Sequence, residues 1–234
     1  MCAICGKAGP WRRAVGAPHD EGRGPAIPPT TAAPPRSAAD TPDEALRLLM
    51  EGNARYVANE PMERDYSAGR PSRALGQAPF ASIIGCSDSR VLAEMVFDRG
   101  PGDLFIVRVA GNFVTEKGLG SLEFSTAMLG VKLIMVLGHT NCGAVDATVR
   151  ALQTGETYPG HIGHLVDSMA PGIRPVLEQP GEDLFHRAMV ANVKYHVQML
   201  RTAQPILAGM VERGELRVVG GVYDLATGRV ELVD

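Results

Sequence analysis

The sequence predicts an α/β fold in which a mainly parallel central sheet is flanked by helices. Three observations support this fold class. Short apolar runs bounded by turn residues have the length of buried strands, segments of helical periodicity lie between them, and two further runs near the C-terminus enclose an Ala-Thr-Gly turn. We therefore expect about four strands, most of them parallel, plus an antiparallel strand at one edge.

Residues 1–40 differ in composition from the rest of the chain. Eight of the 17 prolines lie in the first 42 residues, among many alanines and glycines. Because proline removes backbone donors and little apolar surface is available, we predict a disordered tail over 1–40 and one ordered domain over 41–234. Cys2 and Cys5 form a Cys-x-x-Cys pair in the tail, and we interpret it as incidental because no second ligand pair follows at suitable spacing.

The ordered domain is predicted to begin with a helix. Thr41 or Asp40 can serve as its N-cap, Pro42 suits the first helical position, and acidic residues follow in the first turn. An apolar stripe then marks the buried face, formed by Ala45, Leu46, Leu48, Leu49 and Tyr56. Residues 59–79 are polar and contain several prolines, so we predict a loop there with a short helix over 70–75.

Strands and helices alternate after residue 80. Apolar runs predict the strands 81–85, 104–108 and 132–137, and helical periodicity or position after a loop predicts the helices 91–96, 119–129 and 144–152. Residues 153–182 are rich in glycine and proline, and we expect only a short helix in them, over 161–169. The next predicted elements are a long helix over 184–203 and a shorter helix over 204–212. A hairpin follows, with strands over 216–222 and 229–233.

Composition and charge exclude several classes of partner. The formal net charge of −3 gives no electrostatic reason to expect nucleic acid or an anionic membrane. The sequence contains no apolar run of about 18 residues, and we find no secretory or twin-arginine signal. Four cysteines in 234 residues do not make a disulfide scaffold, so we expect a cytoplasmic protein whose cysteines act as ligands or catalysts.

Two loops carry the residues with the clearest chemistry. Cys86 follows the strand 81–85, and His139 and Cys142 follow the strand 132–137. Because parallel strands bring their C-terminal ends to one edge of a sheet, we expect the three side chains to meet there. Two thiolates and one imidazole make a three-ligand zinc site whose open fourth position allows catalysis.

Asp88 and Arg90 decide between two forms of this site. If Arg90 holds the Asp88 carboxylate in a two-point salt bridge, the fourth position on zinc belongs to water, and a zinc-bound hydroxide is available as a nucleophile. If Asp88 turns onto the metal, the site is closed and the protein only binds zinc. Spacing alone leaves the structural and the catalytic interpretation open.

These motifs resemble the β-class carbonic anhydrase family. The resemblance rests on Cys86-Ser87-Asp88-Ser89-Arg90 and Gly138-His139-x-x-Cys142-Gly143, and it extends over roughly residues 43–234. It implies one Zn²⁺ per subunit, bound by Cys86, His139 and Cys142, and reversible hydration of carbon dioxide to bicarbonate. It also implies a homodimer or a dimer of dimers.

The resemblance also assigns further residues. It makes Asp88 and Arg90 the catalytic dyad, and it places Gln77 and the backbone N–H of Gly143 at the substrate, with Gln77 reaching in from a partner-facing segment. Ile83 stands where one regulated subgroup carries tryptophan, which favours an open zinc site at neutral pH.

Alternative functions remain at this point. The same site could hydrolyse carbonyl sulfide or carbon disulfide, and a closed site would belong to a non-catalytic zinc-binding protein. A thiol redox protein is disfavoured, because Cys86 and Cys142 are far apart in the sequence and neither belongs to a Cys-x-x-Cys pair. His161 and His164 are candidate proton shuttles, whereas His186 and His196 are expected to face solvent or make a polar contact.

Overall fold

A computed structural model describes residues 37–67 and 69–233 of the chain. These residues belong to one compact unit, Ala32–Asp234. The predicted disordered tail, with Cys2 and Cys5, lies almost wholly outside the described residues, so that prediction stays untested. Within the described ranges, no helix combines the length and the apolar character needed to cross a membrane.

The centre of the fold is a five-stranded sheet with strand order β2-β1-β3-β4-β5. Its strands are β1 Ala81–Gly85, β2 Leu104–Arg108, β3 Leu133–His139, β4 Arg217–Tyr223 and β5 Val230–Val233. Strands β1 to β4 are parallel to one another, and β5 pairs antiparallel with β4. The predicted mainly parallel sheet with one antiparallel edge strand is confirmed.

Helices cover the sheet. They are α1 Pro42–Val57, α2 Arg70–Arg73, α3 Ala93–Val96, α4 Glu116–Ala127, α5 Gly143–Thr154, α6 Ile162–Leu177, α7 Leu184–Arg201 and α8 Leu207–Glu212. Helix α1 begins as predicted, because the Thr41 hydroxyl accepts the backbone N–H of Glu44 at 3.2 Å and Pro42 occupies the first turn.

Helix α6 differs from its prediction. We expected a helix over 161–169, but α6 continues to Leu177 and includes Pro171 and Pro175. Proline removes a donor from the helix interior, which normally ends a helix. The burial of one apolar face, which includes Met169, offsets this loss.

The sheet separates two apolar cores, and β3 contributes to both. Ile134 and Val136 pack into the core that contains residues of α5, α6 and α7, whereas Leu133, Met135 and Leu137 pack into the core with α1 and α3. Every residue of β3 is buried. A strand covered on both faces has a continuous apolar sequence, which is why this strand could be recognised from the sequence.

The register of the strands brings two loops together. Gly85 at the end of β1 pairs with Leu137 of β3, so that Cys86 and His139 follow at the same edge of the sheet. Helix α7 packs closely here, since a Cβ added at Gly138 would lie 2.7 Å from Val193 Cγ2. Helix α7 therefore packs directly against the sheet backbone at the edge where the metal ligands were expected.

Candidate metal centre

The structure brings Cys86, His139 and Cys142 together. Their potential ligand atoms all lie within 4.8 Å of one another, and all three residues are buried. Cys86 follows β1, His139 is the last residue of β3, and Cys142 is the N-cap of α5. Residues from three elements thus converge at the C-terminal edge of the sheet, where α/β proteins place their binding sites.

The hydrogen bonds of His139 prepare one ring nitrogen for a metal. Its Nδ1 lies 2.8 Å from the carbonyl oxygen of Thr140, to which it donates in the neutral imidazole. This tautomer leaves a lone pair on Nε2, and Nε2 is buried without a hydrogen-bond partner among the described residues. A buried acceptor with no donor, facing two sulfurs, fits Zn²⁺, which prefers nitrogen and sulfur ligands.

The two thiols lie close enough to change each other's pKa. The proximity of Cys142 and His139, together with the hydrogen bond from the backbone N–H of Gly111, lowers the pKa of Cys86 despite its burial. The same contact with Cys86, reinforced by burial, raises the pKa of Cys142. The site therefore favours a thiolate at Cys86, and thiolate is the form of cysteine that binds metals.

Asp88 lies beside this cluster and is held by Arg90. Arg90 Nε donates to Asp88 Oδ1 at 2.9 Å, and Arg90 Nη2 donates to Asp88 Oδ2 at 2.7 Å. The side-chain hydrogen bonds from Arg90 hold the pKa of Asp88 well below its usual range. Asp88 Oδ2 lies 3.9 Å from His139 Nε2, so the carboxylate is next to the ligand atoms while it faces the guanidinium.

Arg108 fixes the backbone of the same loop. Its Nε donates to the carbonyl oxygen of Cys86 at 3.0 Å, and its Nη2 donates to that of Asp88 at 2.7 Å. Sequence reasoning gave Arg108 no role of its own. Its signal was its position at the end of β2, where the strand register pairs it with Gly85.

A cavity of about 290 Å³ opens beside Cys142. It is lined by Asn141, Cys142, Gly143, Asp146 and Phe185. Gly143 borders this space, and a Cβ added to it would meet nothing within 4 Å. Sequence reasoning gave no role to Asp146 or Phe185. Phe185 belongs to α7 and reaches the cavity only through tertiary packing.

Gln77 lies elsewhere in the chain's own fold. It lines a separate cavity of about 260 Å³ together with Arg73, Phe80 and Asp103. Because it precedes the first residue of β1, it lies toward the opposite edge of the sheet from Cys86. A single chain therefore does not bring Gln77 to the metal centre, and its role at a partner's site stays a prediction.

The histidines outside the cluster occupy different environments. His161 and His164 are exposed near the start of α6, with their ring centroids 5.7 Å apart, and they are not among the residues that line the cavity beside Cys142. His186 is exposed, which is one of the two environments predicted for it. His196 is buried and accepts a hydrogen bond from the N–H of Val114, so it makes a polar contact and does not face solvent.

Comparisons with known proteins agree with this geometry. A family model described as carbonic anhydrase matches residues 81–230. A carbonic anhydrase of Mycolicibacterium smegmatis is 39% identical over 192 residues, which cover 82% of this chain and 93% of that protein.

Solved structures show the same similarity. The β-carbonic anhydrase CcaA has a TM-score of 0.65 at 26% identity, covering 80% of this chain and 86% of its own. A tetrameric β-carbonic anhydrase of Sordaria macrospora has a TM-score of 0.61 at 27% identity, covering 70% of this chain and 84% of its own. The family model, the identity to the bacterial relative and the shared fold lead to one conclusion: the chain belongs to the β-class carbonic anhydrase family.

Proposed function

We propose that this protein catalyses the zinc-dependent, reversible hydration of carbon dioxide to bicarbonate and a proton. The observation that carries this proposal is the cluster of Cys86, His139 and Cys142, whose ligand atoms lie within 4.8 Å of one another at the edge of the sheet. Family membership supports the same reaction, since the bacterial relative is named a carbonic anhydrase.

The chain supplies the metal ligands and fixes their orientation. Cys86 and Cys142 would hold Zn²⁺ as thiolates, and His139 would hold it through Nε2, since its Nδ1 is hydrogen-bonded to the Thr140 carbonyl. When bound, Zn²⁺ acidifies a water molecule and so supplies a nucleophile for carbon dioxide at neutral pH. Arg108 keeps the loop of Cys86 in place through two backbone carbonyls.

Asp88 and Arg90 orient the nucleophile. Arg90 donates hydrogen bonds to both carboxylate oxygens of Asp88, and this two-point contact competes with binding of the carboxylate to a metal. The remaining lone pairs of Asp88 can accept a hydrogen bond from a water molecule beside His139 Nε2. This geometry supports an open catalytic site over a closed zinc-binding protein.

Substrate enters through the cavity beside Cys142. Carbon dioxide is small and apolar, so the apolar side chain of Phe185 is a suitable lining for its binding pocket. The exposed backbone of Gly143 can contact an oxygen of the substrate or of bicarbonate. The product proton leaves to solvent buffer, with His161 and His164 as candidate carriers.

We further propose that the active form is a homodimer or a dimer of dimers. The related enzymes of Sordaria macrospora are tetrameric. In this chain Gln77 lies away from its own metal centre, so it can complete a site only in a second copy. The catalytic pocket would then be shared between two subunits.

The test is a stopped-flow assay of carbon dioxide hydration, combined with metal analysis. We expect one zinc per chain, activity that falls when a chelator removes zinc, and activity that returns when zinc is added. Turnover of carbonyl sulfide is measured in parallel, because faster turnover of carbonyl sulfide than of carbon dioxide would favour the alternative hydrolase. A protein that holds zinc but hydrates carbon dioxide no faster than buffer would contradict the proposal.

Cys142→Ala provides the matched variant. It removes one of three ligands, and we expect it to lose zinc and hydratase activity together. The same exchange at Cys5, which we interpret as part of an incidental pair, is the control and should leave both unchanged. Full zinc content in Cys142→Ala would remove that residue from the ligand set.

A further inference from the structure

Helix α7 places a buried amide against the turn that follows β2. Asn192 is fully buried, and its Nδ2 donates to the carbonyl oxygen of Gly111 at 3.0 Å. A buried side-chain amide that bonds a backbone carbonyl fixes that part of the backbone, because breaking the bond leaves a carbonyl without water or partner.

The same glycine contacts a metal ligand. The N–H of Gly111 donates to Cys86 Sγ at 3.3 Å. Gly111 is thus hydrogen-bonded to Asn192 of α7 through its carbonyl and to the Cys86 sulfur through its N–H. A shift of this one residue changes both hydrogen bonds.

The turn around Gly111 has little freedom to move. Gly111 has a φ of +89°, a conformation that favours glycine. A Cβ added to it would lie 2.4 Å from Met169 Sδ of α6. Helix α6 therefore limits the turn from one direction, and Asn192 holds it by a hydrogen bond.

His196 extends this contact by one turn of α7. Its Nδ1 accepts the N–H of Val114 at 3.4 Å. Burial lowers the pKa of His196 to about 4, so the ring is neutral at physiological pH and keeps its acceptor. Two residues four positions apart on α7 therefore bond both ends of the segment 111–114.

We propose that Asn192 is a positioning residue of the metal centre, which sets the place of the Gly111 amide and through it the geometry and donor strength of Cys86 Sγ. A hydrogen bond to a ligating sulfur directs its lone pairs and withdraws electron density, so its loss alters metal binding. This role rests on the zinc site proposed above, but it concerns a residue that touches neither metal nor substrate.

The experiment replaces Asn192 in the full-length zinc protein. Asn192→Leu keeps the branching and the number of side-chain heavy atoms but lacks the donor, and Asn192→Asp keeps the shape but places an acceptor against the Gly111 carbonyl. We measure zinc transfer to the chromogenic chelator pyridylazoresorcinol, and the sulfur-to-metal charge-transfer absorption of the Co²⁺-substituted protein. Neither measurement depends on catalytic activity.

We expect both variants to release zinc roughly 10–100-fold faster than the parent protein, as outer-shell changes do at other metal sites. We also expect the Co²⁺ charge-transfer band to shift, because it reports the bonding of the cysteine sulfurs directly. A role confined to general stability would not move this band.

Asn53→Leu is the matched control. Asn53 is also buried, and its Nδ2 donates to the carbonyl oxygens of Val96 and Gly228 at 3.0 and 2.8 Å, in a region that holds α1 against the sheet. The substitution removes the same type of hydrogen bond. It should lower the melting temperature while zinc release and the Co²⁺ band stay as in the parent protein.

The outcomes separate this inference from the proposed function. A parent protein that binds no zinc contradicts the proposed function itself. A zinc-bound parent whose Asn192 variants keep the parental release rate and Co²⁺ band overturns the positioning role alone. The positioning role is also overturned if Asn53→Leu changes zinc release and the Co²⁺ band as much as the Asn192 variants do. It is overturned as well if both Asn192 variants fail to fold while Asn53→Leu folds, because Asn192 would then serve general stability.

Discussion

Replacing Gly111 by alanine perturbs the turn that bonds Cys86. The residue has a φ of +89°, and for alanine this left-handed region costs about 1–2 kcal/mol. The new Cβ would lie 2.4 Å from Met169 Sδ, and Met169 is fully buried, so relief of this contact costs a further amount of about 1–3 kcal/mol. Gly111→Ala should therefore lower the free energy of unfolding by about 2–5 kcal/mol.

Two other glycines separate the contributions. Gly130 has a φ of +76° but open space around its Cβ position, so Gly130→Ala reports the backbone cost without the contact. Gly120 lies exposed in α4 with open space, so Gly120→Ala should be neutral or stabilise by up to about 1 kcal/mol.

The assay is urea denaturation of the three variants beside the parent protein, with zinc release measured on each. We expect the order of stability to be Gly120→Ala, then Gly130→Ala, then Gly111→Ala, and we expect faster zinc release in Gly111→Ala alone. The reasoning is refuted if Gly111→Ala matches Gly130→Ala in both stability and zinc release.

Three further predictions concern other parts of the account. Asp88→Asn should keep zinc but lower turnover by roughly 10–100-fold, since Asp88 orients the nucleophile and does not bind the metal. Unchanged stopped-flow rates would refute this role. Gln77→Leu should also lower turnover with zinc retained, if a second copy supplies Gln77, whereas parental turnover would show that the site needs no partner glutamine. Burial lowers the pKa of His196 to about 4 from its usual 6.5, so the unfolded chain binds more protons between these values. Stability should therefore fall as the pH drops from about 6.5 to 4, by up to about 3 kcal/mol, and His196→Gln should remove this component in denaturation curves; an unchanged pH dependence in the variant would count against it.

Much of the fold could be predicted because its central strands β1 and β3 are buried on both faces. The predicted bounds of β1 and β2 agree with the structure, since continuous apolar runs end at turn residues. The end of α6 was missed because Pro171 and Pro175 signal a loop locally, while the burial of the face that includes Met169 keeps the segment helical. Local propensity and tertiary packing conflict there, and packing decides.

The convergence of Cys86, His139 and Cys142 was predictable for a related reason. Cys86 directly follows β1, His139 ends β3 and Cys142 caps α5, so the sheet topology alone brings them near one another. Asn192 and Gly111 gave no comparable signal, because their contact joins residues 81 positions apart in the chain. Phe185 at the cavity was missed for the same reason.

The most direct test of the central claim is a crystal structure of the purified protein with anomalous data collected at the zinc absorption edge. We predict one anomalous peak per chain, at about 2.3 Å from the sulfurs of Cys86 and Cys142 and about 2.0 Å from His139 Nε2, with Asp88 still bonded to Arg90. The absence of a peak between these three residues, or a peak whose fourth ligand is Asp88 under conditions where the enzyme is active, would contradict the account.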